Sequence, residues 1–188
     1  MAIGDWDDMT LMRALGEGEI EALGELVHRY QQRALGLAYR MLGRWDAAED
    51  AVQDAFLQVY RAAPRYRPQA EFITWLYRIV TNRCLDARRR EKRAPEPLTD
   101  DRAPADAASP AQTVETDEAV RRVRQAVQAL PERQRAALIL HRYERLSYFE
   151  VAQVTGWSES AVESLLVRAY AALRKMLAEP EKKNTKRG

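Results

Sequence analysis

One cysteine, Cys84, and two histidines, His28 and His141, are all that 188 residues offer to thiol or imidazole chemistry. An internal disulfide is therefore impossible, and a Cys/His zinc site cannot be assembled. Cys84 reads as a small buried apolar residue. No apolar run approaches the length needed to cross a bilayer, and Asp5, Asp7 and Asp8 near Met1 are the opposite of a basic-then-apolar leader. The expectation is a cytoplasmic chain with no membrane insertion. There is also no phosphate-cradling glycine loop, no HExxH, and no histidine set between an acid and a nucleophile. No catalytic residue, metal, cofactor or small-molecule substrate is expected, and the chain is not read as an enzyme.

What is present is charge, 31% of residues, and its distribution says more than its net value of +2. Arg83, Arg88, Arg89, Arg90, Lys92 and Arg93 form one basic cluster, and Lys182, Lys183, Lys186 and Arg187 another. Local positive clusters of this kind suit a polyanionic partner.

Residues 5–93 carry helical periodicity throughout. A short helix from about Asp7 stops at Gly16-Glu-Gly18, and a long one from Glu19 ends at Gly43, a suitable left-handed cap. The next helix, about residues 46–61, places Ala48, Val52, Ala55, Phe56 and Val59 on one face and Glu49, Asp50, Gln53 and Asp54 on the other. That anionic face is either a solvated surface or a docking surface. After Pro64 and Pro68, a helix from Glu71 to about Arg90 uses Phe72, Trp75, Leu76, Ile79 and Val80 as its apolar stripe. Tyr77, Arg78, Asn82 and Arg83 lie outside that stripe. They are candidates to hold single-stranded nucleic acid, with Arg88, Arg89 and Arg90 as phosphate anchors or simply a solvated helix end.

Residues 94–117 contain four prolines and six acidic residues against one arginine. This composition predicts a flexible acidic linker, spanning roughly 25 to 30 Å as a coil and about 80 Å when stretched. Helical patterning returns at 118–178, interrupted by Pro131. Ser147-Tyr-Phe-Glu150 is a capping box, Gly156 supplies a turn, and Ser158 or Ser160 caps a longer helix. A short helix, a glycine turn and a longer helix make a helix-turn-helix, or an ordinary helical hairpin. In the first reading Ser158, Ser160, Glu163, Ser164 and Val167 face base edges, and Arg168, Arg174 and Lys175 face phosphates. Glu163 could accept from a cytosine amino group or close a second capping box with Ser160. The predicted fold is all-α, two small helical domains joined by a flexible linker, with a basic tail at 179–188.

Four stretches in this order, Asp46-Ala-Ala-Glu-Asp-Ala-Val-Gln-Asp-Ala-Phe-Leu-Gln-Val-Tyr-Arg61, Phe72-Ile-Thr-Trp-Leu-Tyr-Arg-Ile-Val-Thr-Asn82, Leu130-Pro-Glu-Arg-Gln-Arg135 and Leu146-Ser-Tyr-Phe-Glu-Val-Ala152, resemble the extracytoplasmic-function (group IV) sigma factors of the sigma-70 family. The resemblance implies that Asp50, Gln53 and Asp54 dock on the clamp helices of core RNA polymerase. It implies that the region of Asn82 and Arg83 captures a flipped base of the minus-ten promoter element, and that the C-terminal module reads the duplex minus-thirty-five element and touches the polymerase flap. The linker would thread near the RNA exit path, and an anti-sigma factor would hold the chain inactive. Members often carry basic, Ser, basic near the start of the recognition helix, where this chain has Glu163-Ser164-Leu165. The competing reading is a helix-turn-helix repressor or activator that binds duplex DNA alone, which leaves the anionic helix and the Asn82 region without a task.

Overall fold

The computed structural model describes residues 2–68, 70–93 and 118–178, and among these all regular structure is helical. The expected linker at 94–117 and the tail at 179–188 lie outside the described residues. Eight α-helices follow in order: α1 Asp8–Gly16, α2 Ile20–Leu42, α3 Trp45–Ala62, α4 Phe72–Arg93, α5 Glu118–Ala129, α6 Glu132–Arg142, α7 Tyr148–Thr155 and α8 Glu159–Ala178.

The boundaries follow from local chemistry. Asp7 caps α1 by accepting from the Thr10 N–H at 2.7 Å. Gly43, at φ +77°, ends α2 with its N–H on the Tyr39 carbonyl at 2.7 Å. Alanines at 22, 34, 38, 48, 51 and 55 on the inward faces of α2 and α3 let the two helices approach closely, and α4 packs across both. Gly16, where α1 ends, lies so close to the Ala63 carbonyl that a Cβ there would stand 2.9 Å from its oxygen. α5, α6, α7 and α8 form the second group, held by Leu130, Leu138, Leu140, Val151, Val162 and Leu166, all 2% exposed or less. Burying each such side chain stabilises the fold by about 1.5 to 3 kcal/mol.

The two groups are in contact. α7 packs on α4, α6 and α5 pack on α2, and one continuous apolar core runs through both. The linker alone left their relative placement open, and the structure supplies it: the C-terminal group is seated on the outer flank of α4 and on the C-terminal end of α2.

Candidate nucleic-acid and partner interfaces

Glu49, Asp50, Gln53 and Asp54 are all exposed on α3, opposite its buried Ala48, Val52, Ala55 and Phe56. Trp45 donates its indole N–H to Glu49 at 2.8 Å, at the start of the anionic face. On one side, Asp50, Gln53 and Asp54 share a cleft of about 450 Å³ with Arg83, Asp86 and Arg90 of α4. On the other, Glu49 and Gln53 border an apolar groove of about 640 Å³ between α2 and α3. Ile20, Leu57 and Tyr60, each roughly half exposed, line this groove. Reading α3 only for its anionic residues missed the groove; the signal was Leu57 and Tyr60, apolar positions outside the buried stripe.

The predicted contacts on α4 divide by angle. At about 100° per residue, Arg78, Asn82 and Arg89 fall within about 40° of one another, and all three are exposed. Arg89 has an exposed ion pair with Asp86 at 3.4 Å. Arg83 and Arg90 line the cleft beside α3, and Arg83 also donates to Gln58 Oε1 of α3 at 2.7 Å. Tyr77 and Arg88, eleven residues apart and so within about 20° of each other, face the C-terminal group. Tyr77 is 1% exposed and donates its hydroxyl to Glu144 at 2.5 Å. Arg88 donates to the carbonyls of Met41 and Leu42 and to Gln128. The expectation that the stripe has no need of Tyr77, and that Arg88 is open to phosphate, is therefore corrected for this arrangement. α4 is covered on two sides, by α2 and α3 and by α7, which widens its buried sector beyond what one partner would bury. Burial pushes the Tyr77 hydroxyl up, as does its bond to the Glu144 carboxylate, so it stays a donor. Burial likewise pushes the Cys84 thiol up to about 12, which keeps it from acting as a thiolate.

The helix-turn-helix is built from its own residues. Ser147 and Glu150 form the reciprocal capping box, Gly156 turns at φ +73°, and the Trp157 N–H is held by Thr155 Oγ1 at 3.3 Å. Arg133 covers the Trp157 ring at 4.5 Å. Ser158 caps α8, accepting from the Ala161 N–H at 3.2 Å. Ser160 is inside the helix, so the second capping box is not formed and Glu163 stands on the exposed face. Ser160, Glu163, Ser164, Val167, Arg168, Arg174 and Lys175 are all exposed within a sector of about 140°, opposite the buried Val162, Leu166 and Ala169. A single helix face with small polar residues at its start and cations toward its end can enter a major groove. Among the described residues no cluster could hold a metal ion, and no helix is long and apolar enough to cross a membrane.

Comparison with known proteins gives one answer along the chain. Residues 26–94 match sigma-70 region 2, and residues 120–173 match sigma-70 region 4. The RNA polymerase sigma-H factor of Pseudomonas aeruginosa is 34% identical over 180 residues, covering 90% of this chain and 93% of its own length. The ECF RNA polymerase sigma factor SigM of Mycobacterium tuberculosis is 36% identical over 171 residues, covering 90% and 84%. Among solved structures, CnrH in complex with the cytosolic domain of CnrY is 28% identical with a TM-score of 0.63, covering 90% of this chain and 96% of that one. The sigma factor RpoE of Bartonella quintana, solved with the anti-sigma factor NepR, shares the fold at 22% identity and a TM-score of 0.65, covering 82% and 95%.

Proposed function

The chain belongs to the sigma-70 family of RNA polymerase sigma factors, in the extracytoplasmic-function group, and we propose that its three exposed faces divide the work of promoter recognition. It is a non-catalytic initiation factor. It binds core RNA polymerase, directs it to specific promoters and assists strand separation, in a stress or envelope response and in the cytoplasm where polymerase works. Residues 5–93 act as the core-docking and minus-ten domain and residues 118–178 as the minus-thirty-five domain, with 94–117 between them.

The observation that carries this division is the angular separation of the faces. Glu49, Asp50, Gln53 and Asp54 on α3 dock on the clamp helices, and the apolar groove beside them adds non-polar contact. Arg78, Asn82 and Arg89 on α4 hold the separated minus-ten strand, with Arg83 and Arg90 at the border of the two faces. Unpairing costs a few kcal/mol, which base capture offsets at roughly 1 to 3 kcal/mol per stacked base. On α8, Ser158, Ser160, Glu163, Ser164 and Val167 read the duplex, and Arg168, Arg174 and Lys175 anchor its backbone. An anti-sigma factor is the expected regulator, as the family resemblance implies; CnrH, which matches 90% of this chain, was itself solved in complex with another protein's cytosolic domain.

Charge reversal tests the division. Asp50→Lys with Asp54→Lys should weaken binding to bacterial core polymerase by at least about tenfold in a fluorescence titration. Arg78→Ala with Asn82→Ala should leave that affinity intact and abolish permanganate-detected melting at a promoter. Tight duplex binding by the protein alone, unchanged by core polymerase, would instead mark a stand-alone repressor or activator.

A further inference from the structure

Among the described residues four have a positive φ, and three of them are glycines: Gly18, Gly43 and Gly156. The fourth is Arg145, at φ +60°. A Cβ disfavours this left-handed backbone by roughly 5- to 30-fold, which is why a helix that ends on it does so most often with glycine, and next with asparagine.

The conformation is imposed from both sides of the turn. At the end of α6 the Tyr143 and Glu144 N–H groups both donate to the Ile139 carbonyl, at 2.9 and 3.2 Å, and the Leu146 N–H donates to the Leu140 carbonyl at 3.2 Å. The Leu146 carbonyl accepts from His141 Nδ1 at 2.8 Å, while its side chain is buried in the core. Ser147 then opens α7 with its capping box. The chain has to reverse at position 145 whichever residue stands there, and glycine would do so without a steric penalty.

The arginine side chain gives the fold nothing in return. It is exposed and has no hydrogen bond or ion pair among the described residues. The carboxylates nearest in sequence are already engaged: Glu144 accepts from Tyr77 and Arg40, and Glu150 accepts from Ser147. Positive charge at the entry to the helix-turn-helix is therefore left uncompensated. Strain that the surrounding structure enforces, and that no internal contact uses, is a mark of function.

The place of the residue says which function. In a helix-turn-helix the second helix enters the major groove and the first crosses the sugar-phosphate backbone. Arg145 stands two residues before Ser147, the cap of that first helix, and Tyr148 and Phe149 beside it are 40% and 55% exposed, so this end of α7 is open.

We propose that Arg145 is a phosphate anchor of the C-terminal module, gripping the duplex backbone beside the groove that α8 enters, and that this chain keeps an arginine in a glycine conformation for that contact. The inference rests on the reading of α8 as the duplex-facing helix. Such a contact positions the module and adds affinity at every sequence, without choosing bases. It also releases a counterion, so it is visible in the salt dependence of binding.

The test uses the full chain and a fluorescent mixed-sequence duplex, titrated over a range of salt concentrations, with thermal melting of the same variants. Arg145→Gly should raise the melting temperature by about 2 °C or more, because the backbone strain is relieved. The same variant should lower duplex affinity about threefold or more at low salt and flatten the plot of log K against log salt by about 0.9. Arg145→Ala should lose the same affinity and slope without the gain in melting temperature, and Arg145→Lys should retain the slope. A slope that does not change in Arg145→Gly, or a melting temperature that falls, would overturn the proposal. Arg168→Ala, on α8 itself, separates the two readings. If it flattens the slope while Arg145→Gly does not, the anchor is overturned and α8 still faces the duplex; if neither variant flattens it, both readings fall.

Discussion

Two helix ends in this molecule are closed in opposite ways. At both ends of α7 and the start of α8, every capping group comes from within a few residues: Ser147 with Glu150, Gly156, Thr155 with Trp157, Ser158 with Ala161. At the end of α2, Gly43 supplies the left-handed turn, but the carbonyls of Arg40, Met41 and Leu42 are met by Arg88, Gln128 and Arg135, side chains about 45 to 95 positions further along. The first end forms wherever its segment folds, which suits a reading head that must arrive at DNA preformed. The second exists only while the two groups of helices are together. A helix end completed by another module makes the association of the modules part of the helix's own stability.

The sharpest way to break the distinction is Arg135→Ala. It leaves the Leu130 carbonyl without its buried donor and the Met41 carbonyl with only the longer bond from Arg88, and should cost about 2 to 3 kcal/mol, visible as a lower urea midpoint. The loss should also uncouple the groups, so that tryptophan fluorescence and helicity no longer change together. Gly43→Ala acts on the same end through the backbone. Its φ of +77° and the approach of Gln128 should make it cost about 1 to 2 kcal/mol by calorimetry. Ser147→Ala should cost about 1 kcal/mol and confine its effect to the helix-turn-helix. Hydrogen exchange should then rise in α7 and α8 and stay unchanged in α2.

Smaller still is the acid dependence of that local cap. The Ser147 hydroxyl and N–H hold the Glu150 carboxyl below the usual carboxylate range. Its contribution is therefore present above that range and lost as pH falls through the lowered value. Glu150→Gln should remove this part of the acid limb in a pH series of melting temperatures. Glu163→Ala should change stability by less than about 0.5 kcal/mol, because Ser158 holds the cap. Its effect should be on which upstream element is preferred, measured by selection from a randomised duplex; an unchanged preference with a lower melting temperature would return Glu163 to a structural role.

The same contrast explains what could be read from the chain in advance. Helix limits at Gly43, Pro131, Ser147 and Gly156 were legible because each is set by one residue's own backbone preference or side-chain reach. The exposed faces of α3 and α8 were legible because each helix buries a single stripe. Tyr77 and Arg88 were not. Their engagement depends on the C-terminal helices arriving from beyond a 24-residue segment, with Glu144 on Tyr77 and Gln128 on Arg88, and no periodicity in α4 records a second partner. Arg135 sits in a stretch that marked the family, yet its task at the end of α2 is invisible without the neighbouring carbonyls. The α2/α3 groove escaped for a related reason: Ile20, Leu57 and Tyr60 form it jointly from two helices.

The most direct test of promoter recognition is transcription in vitro by bacterial core polymerase on fragmented genomic DNA, with and without the protein, reading the 5′ ends of the RNA. New start sites preceded by two shared elements at one fixed spacing are expected, and they should vanish with Asp50→Lys and Asp54→Lys. Start sites that do not change on adding the protein would mean that it does not redirect polymerase, and that the faces on α3, α4 and α8 serve some other task.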